Sequence, residues 1–161
     1  MKYIGFMVGR IVYWVGWPLL CLGLRNTERT RVVIECNGEV LLLRDWVGKG
    51  CWSLPGGGVK QGEKLPKAAV REVYEEVGIR MDVKKLRYLG ERRVTLSGIT
   101  VYQHMFFVQL SRRPKKMHLQ RIEIGAAQWV SFAAARKLKL DESAVATLDA
   151  WRHHSLSVKM L

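Results

Sequence analysis

At 161 residues with 48% hydrophobic side chains, the chain is long enough to bury one core and short for two, which excludes a multidomain assembly. Cys21, Cys36 and Cys51 are odd in number and form no CxxC pair, which excludes a disulfide framework and points to reduced, mostly buried thiols of a cytosol-facing protein. Lysine and arginine total 27 against 14 acidic residues, a net charge of +13, so the surface attracts polyanions: nucleotide phosphates, RNA or acidic lipid headgroups.

The chain opens on an apolar run, residues 3–24, in which Arg10 is the only charge. As a helix it would extend about 33 Å, close to the thickness of a bilayer core. Tyr13, Trp14 and Trp17 carry amphipathic rings suited to a membrane interface, whereas Pro18 and the glycines weaken the helix. Only residues 11–24 are free of charge, which is short for a complete span. Residues 1–26 are therefore expected to attach the chain to a membrane, with packing onto the rest of the molecule or a homodimer contact as the alternative. A cleaved signal or a misplaced start is a further alternative, although no small-x-small site follows the run. Arg25, Arg29 and Arg31 outnumber Lys2 and Arg10, so the remainder, residues 27–161, is expected on the cytoplasmic side, at the inner face of the membrane.

Residues 31–36 form a β-branched run that leads to Asn37-Gly38, a strong hairpin turn, and residues 39–46 return as a second strand. Trp52, Ser53 and Leu54 then enter Pro55 and a glycine-rich loop. Pro66 suits a first helical turn, residues 67–77 contain no glycine or further proline, and Gly78 ends the helix. Residues 84–95 and 100–110 read as a second hairpin around Ser97-Gly98, followed by a basic loop over 112–120. A short strand over 127–131 and two helices, 132–138 and 142–153, complete the pattern. Strands around an inserted helix, with helices at the end, predict an α/β/α sandwich on a mixed sheet. No internal repeat or low-complexity segment interrupts it.

The most specific signal spans residues 57–79, GGVKQGEKLPKAAVREVYEEVGI. On a 3.6-residue repeat, Glu72, Glu75 and Glu76 share one helical face, while Val70, Val73 and Val77 lie on a neighbouring face that can pack on a sheet. Like charges at this spacing repel. A divalent cation removes the conflict, because hard oxygen donors suit Mg2+ or Mn2+. The glycines before the helix let backbone carbonyls approach the same ion, since no Cβ intervenes.

Gly57, Glu63, Arg71, Glu72, Val73, Glu75, Glu76, Gly78 and Ile79 together resemble the signature box of the Nudix hydrolases, which cleave pyrophosphate linkages, mostly in nucleoside diphosphates joined to another group. The order of strands and helices over residues 31–140 is similar to the Nudix fold. The resemblance implies that Glu72, Glu75 and Glu76 bind metal, with the carbonyl of Gly57 or its neighbour Gly56 as a further ligand. It implies that Arg71 and Glu63 orient the catalytic helix. It also implies a role for Glu123, in a loop before the last strand, as another ligand or as the general base. The reaction so implied is attack of water on phosphorus around one to three Mg2+ ions, with a glutamate taking the proton. Substrate is less legible: Trp46, Trp52, Tyr102 and His104 are the candidates to border a nucleotide pocket. RNA ranks below a small nucleotide-type diphosphate as partner, because no basic motif interleaved with aromatics is visible. Lys84, Lys85, Arg87, Arg92, Arg93 and the cluster over 112–116 fit an anionic membrane surface. A catalytically silent Nudix-fold binding module and a membrane-tethered interaction protein are the competing functions. The intact Arg71, Glu72, Glu75 and Glu76 argue against the silent module.

Overall fold

A computed structural model of the protein describes residues 28–45, 50–96, 99–120 and 124–159. The apolar segment 1–26, Trp46, the turn Ser97-Gly98 and Glu123 lie outside the described residues. Six strands, β1 (Glu28–Cys36), β2 (Glu39–Asp45), β3 (Trp52–Ser53), β4 (Arg87–Leu96), β5 (Ile99–Gln109) and β6 (Ile124–Ser131), form one sheet. Helix α1 (Leu65–Val77) separates β3 from β4, and α2 (Phe132–Ala135) and α3 (Glu142–Lys159) follow β6.

The sheet runs β3-β2-β1-β5-β4, with β6 on the flank of β2. Its pairs are antiparallel except β1 with β5, which run parallel from Glu28↔Tyr102 to Glu35↔Gln109, so the sheet is mixed as expected. Asn37 and Gly38 both take positive φ, 53° and 77°, and close the β1–β2 hairpin. Side chains alternate between the faces of each strand. Val32, Ile34, Leu41, Leu43, Phe106 and Val108 pack against Ala69, Val73 and Val77 of α1. On the opposite face Val33, Val40, Leu42 and Val130 pack against Ala144 and Leu148 of α3. The sandwich is thus helix, sheet, helix, with a core on each side. Among the described residues, no helix is long and apolar enough to cross a membrane.

Several boundaries differ from the sequence reading, each for a local reason. The buried stripe of α1 is Ala69, Val73 and Val77, spaced by four, and Val70 falls a third of a turn away, half-buried. Asp82 accepts a hydrogen bond from the Lys84 N–H at 2.9 Å and folds Val83–Lys85 into a 3-10 turn, so β4 begins at Arg87. β6 begins at Ile124 because β2 offers it partners as far as Asp45. Helix α3 runs on to Lys159, since no glycine or proline follows His153 to stop it.

One departure from regular pairing positions everything that follows. β1 and β2 are in register only at Glu35↔Val40 and Cys36↔Glu39, next to their turn, and diverge beyond it. The segment 55–59 enters the gap and takes over β1's free backbone groups. Thr30 N–H donates to the Gly57 carbonyl and Val32 N–H to the Pro55 carbonyl, both at 2.8 Å, and Val59 N–H donates to the Glu28 carbonyl at 3.0 Å. The glycine loop is therefore pinned in a wedge between two strands, directly before α1.

Candidate metal and catalytic site

Helix α1 leaves the wedge with Pro66 in its first turn and ends at Gly78, which takes the left-handed conformation with φ 72°. Arg71, midway along the helix, is its hub. A guanidinium has five N–H donors, and five oxygens meet them here. Glu63 is held as a fork, from Nε at 2.8 Å and Nη2 at 2.7 Å. Nη1 reaches Glu72 at 2.5 Å and Glu75 at 3.1 Å, and Nη2 reaches the Gly58 carbonyl at 2.9 Å. The Lys60 N–H also donates to Glu63, at 3.1 Å. Loop and helix are tied into one unit through a single side chain. The Arg71 guanidinium pulls the Glu63 carboxyl down to about 2, and its own pKa rises through the hydrogen bonds to Glu63 and Glu72.

Glu76, one turn on from Glu72, lies beneath the glycine loop and accepts the Gly56 N–H at 2.9 Å. Burial pushes its carboxyl up to about 7, against the opposing pull of Arg31 and of that N–H, while Glu72 and Asp45 push it further up. The pKa of Asp45, at the end of β2, is also raised from its ordinary value, chiefly by partial desolvation of its carboxyl, with Arg31 opposing. Arg31 donates from Nε to Ser143 Oγ at 2.8 Å and from Nη1 to the Gly56 carbonyl. Asp141 caps α3 by accepting the Ala144 N–H at 2.6 Å. The wedge thus gathers Glu72, Glu76, Asp45 and Asp141 with Arg29 and Arg31 from four separate stretches of chain.

Glu72 and Glu75 meet on Arg71, whereas Glu76 turns under the loop. Among the described residues, no three carboxylate, imidazole or thiol groups converge as a ready cage. The donor set nevertheless suits a hard divalent cation: carboxylate oxygens of Glu72 and Glu76, with glycine carbonyls alongside. Glu76 supports this fit most directly, because its buried carboxylate has one N–H partner and two acidic neighbours that raise its pKa.

The three described aromatic candidates do not come together. Trp46 lies outside the described residues. Trp52 packs on the α3-side core, with the Arg44 guanidinium 5.2 Å from its ring centre. Tyr102 and His104 alternate with Gln103, whose side chain bonds to Ser143 and Thr147 of α3, so they face the α1 side instead. There His104 is buried, its Nδ1 3.2 Å from the Tyr88 hydroxyl, and Arg93 sits 5.6 Å over the Tyr102 ring. Arg29, Arg31, Asp45 and Asp141 are the wedge residues that the sequence reading passed over. The available signal was the alternation Arg29, Arg31 within an otherwise β-branched strand, which puts both charges on one face. A cavity of about 410 Å3 between β5 and α3, lined by Phe107, Phe132 and Trp151, shares no residue with the wedge.

A loop–helix unit with this carboxylate face, set in the split of a mixed sheet between two helical layers, defines a class of domain. The NUDIX domain family matches residues 26–151, and the chain belongs to the Nudix family. It is 32% identical over 154 residues to Nudix hydrolase 10 of Arabidopsis thaliana, covering 93% of this chain and 53% of that protein. It is 33% identical over 118 residues to the RNA pyrophosphohydrolase of Proteus mirabilis (strain HI4320), covering 62% of this chain and 66% of that one. The MutT protein of Methanosarcina mazei Go1 superposes with a TM-score of 0.68 at 24% identity, over 81% of this chain and 96% of that one, which is a likeness of fold. The chain spans about half the length of the Arabidopsis relative.

Proposed function

We propose that the protein is a pyrophosphohydrolase that cleaves a phosphoanhydride bond in a nucleoside diphosphate linked to another moiety, with Mg2+ or Mn2+ as cofactor. The observation that carries this reading is the Arg71 hub, which fixes Glu63, Glu72 and Glu75 to the glycine loop beside the buried Glu76. Glu72, Glu75 and Glu76, with the carbonyl of Gly57 or Gly56, are the proposed metal ligands. A bound divalent cation would supply charge neutralisation of the diphosphate and acidification of water. A glutamate, one of these ligands or Glu123, accepts the proton from the attacking water. Arg71 and Glu63 keep the carboxylates in place against the loop. The net charge of +13 favours approach of an anionic substrate.

The test is phosphate release from nucleoside triphosphates, ADP-ribose and other nucleotide-linked diphosphates, with Mg2+ and with Mn2+. Turnover on at least one substrate, lost in EDTA and restored by either ion, is the expected result. No turnover on any of them would favour the silent binding module.

Two glycine variants separate geometry from folding. Gly56 has a φ of 133°, and a Cβ there would overlap the backbone carbonyl of Thr30. Gly56→Ala is expected to lower stability by at least about 2 kcal/mol. A Cβ on Gly57 would overlap only the carboxylate end of Glu72. Gly57→Ala should therefore cost less than about 1 kcal/mol in urea unfolding, yet reduce turnover about 100-fold by displacing that carboxylate. Equal stability losses in the two variants would contradict this account.

Residues 1–26 are proposed as a separate apolar segment that attaches the domain, residues 27–161, to the inner face of an anionic membrane. The family match beginning at residue 26 supports that boundary. Sedimentation of the full chain with anionic vesicles, compared with a chain starting at Thr27, tests it; equal sedimentation removes the attachment and leaves packing or a homodimer contact.

A further inference from the structure

The two arginines of β1 are the part of the wedge that carboxylate chemistry leaves unused. Arg31 is committed: buried, it bonds to Ser143 at the start of α3 and to the Gly56 carbonyl. Arg29, two residues earlier on the same face, lies across from Gly58 of the glycine loop. Its Nε is buried and has no hydrogen-bond partner among the described residues. Buried donors are normally paired, and a guanidinium cannot shed its charge to escape the cost. Burial and the neighbouring Arg31 both disfavour the charged form of Arg29, while Glu72, Glu76 and Asp141 favour it from a distance. Glu72 is already held by Arg71, and Glu76 by the Gly56 N–H. An unmet donor and a poorly compensated positive charge, beside the carboxylates proposed to handle the scissile diphosphate, call for an anionic acceptor brought by the ligand.

Resting on the hydrolase reading above, we infer that Arg29 is a specificity-determining residue that binds a terminal phosphoryl group of the substrate. The protein then prefers a substrate ending in a free polyphosphate, such as a nucleoside triphosphate, over a diphosphate capped at both ends, such as ADP-ribose. A terminal phosphoryl group offers three oxygens and two negative charges to the guanidinium fork. A phosphate within a capped chain offers two oxygens and one charge, and bulk on both sides. A buried Nε is reached by the end of a chain rather than by its middle.

The experiment is kcat/KM for ATP and for ADP-ribose with Mg2+, on the full chain, for wild type, Arg29→Lys and Arg29→Gln, with circular dichroism checking the fold of each. Arg29→Gln should lower kcat/KM for ATP about 100-fold, chiefly through KM, and leave ADP-ribose within about threefold. Arg29→Lys should recover about tenfold of the loss, because the charge returns without the fork. Equal losses on both substrates, or no loss on ATP, would overturn the inference; so would a wild type that prefers ADP-ribose. Should wild type hydrolyse neither, the hydrolase reading fails separately, and binding of α,β-methylene-ATP and ADP-ribose decides Arg29. Affinity lost in Arg29→Gln for the triphosphate analogue alone supports its role, and any other pattern removes it.

Discussion

Glu76→Gln is expected to abolish hydrolysis while making the metal-free protein more stable above neutral pH. The folded-state pKa of Glu76 is raised from 4.5 to about 7, with burial the largest cause. Its folded form therefore holds a proton that the unfolded chain has released, and stability falls as pH rises from about 4.5 through 7. At 1.36 kcal/mol per pH unit the penalty at pH 8 is roughly 3 kcal/mol at most. Glutamine escapes it, and its amide oxygen can still accept the Gly56 N–H. The Gly56 N–H bond to the carboxylate already counts within that net shift, so the gain at pH 8 is about 2–3 kcal/mol. Below pH 4.5 the gain disappears, because the wild-type carboxyl is then protonated in both states. Hydrolysis with Mg2+ should drop by about 1,000-fold or more, as expected when a proposed metal ligand is lost. Urea unfolding in EDTA at pH 5 and pH 8, with turnover measured on the same samples, checks both halves. A variant destabilised equally at both pH values, or one that keeps a tenth of wild-type activity, would refute the account. A stability gain on removing a carboxylate is the mark of a residue placed for chemistry at a cost to folding.

The site was legible in the sequence where its geometry is local and opaque where it depends on strand pairing. Glu72, Glu75 and Glu76 share a helical face by spacing alone, and Gly78 stops the helix wherever the helix packs. The spread of β1 from β2 beyond Glu35↔Val40 has no counterpart in hydropathy, since the apolar runs Val32–Ile34 and Val40–Leu43 carry no mark of where pairing stops. That spread nevertheless admits the glycine loop and buries Arg31 against Ser143, 112 residues away. Strand parity was available but silent about its consequence. Tyr102 and His104 alternate with Gln103, yet only the contact of Gln103 with α3 tells which helix each set faces. The aromatic pocket expected from Trp52, Tyr102 and His104 was a list of suitable side chains, and the sheet divides it between two faces.

Arg71→Met is expected to remove the tie that makes loop and helix one unit, with losses in both activity and folding. Three carboxylates would lose their cation at once, Glu63, Glu72 and Glu75. Glu63 and Glu72 are largely shielded from water, at 16% and 17% side-chain exposure, while Glu75 is half-exposed at 46%. The cost falls chiefly on the first two, about 2 kcal/mol at pH 7 for partners left unpaired in a partly buried setting. Arg71→Lys should retain part of the charge effect but lose the fork to Glu63, because an ammonium cannot present two parallel donors. Turnover in both variants should fall about 100-fold through misplacement of Glu72 against the loop. The pH dependence identifies the cause. Glu63 titrates near 2 in the folded protein and at 4.5 unfolded, so its contribution is present above 4.5 and lost as pH falls toward 2. Arg71→Met removes that contribution, and its destabilisation relative to wild type should shrink steadily between pH 5 and pH 2.5. Loss of packing alone would give a pH-independent difference, and a double-mutant cycle with Glu63→Gln would then show no coupling. A coupling much smaller at pH 2.5 than at pH 7, with turnover lost at pH 7, places Arg71 as a positioning residue, acting on the substrate through the carboxylates it holds.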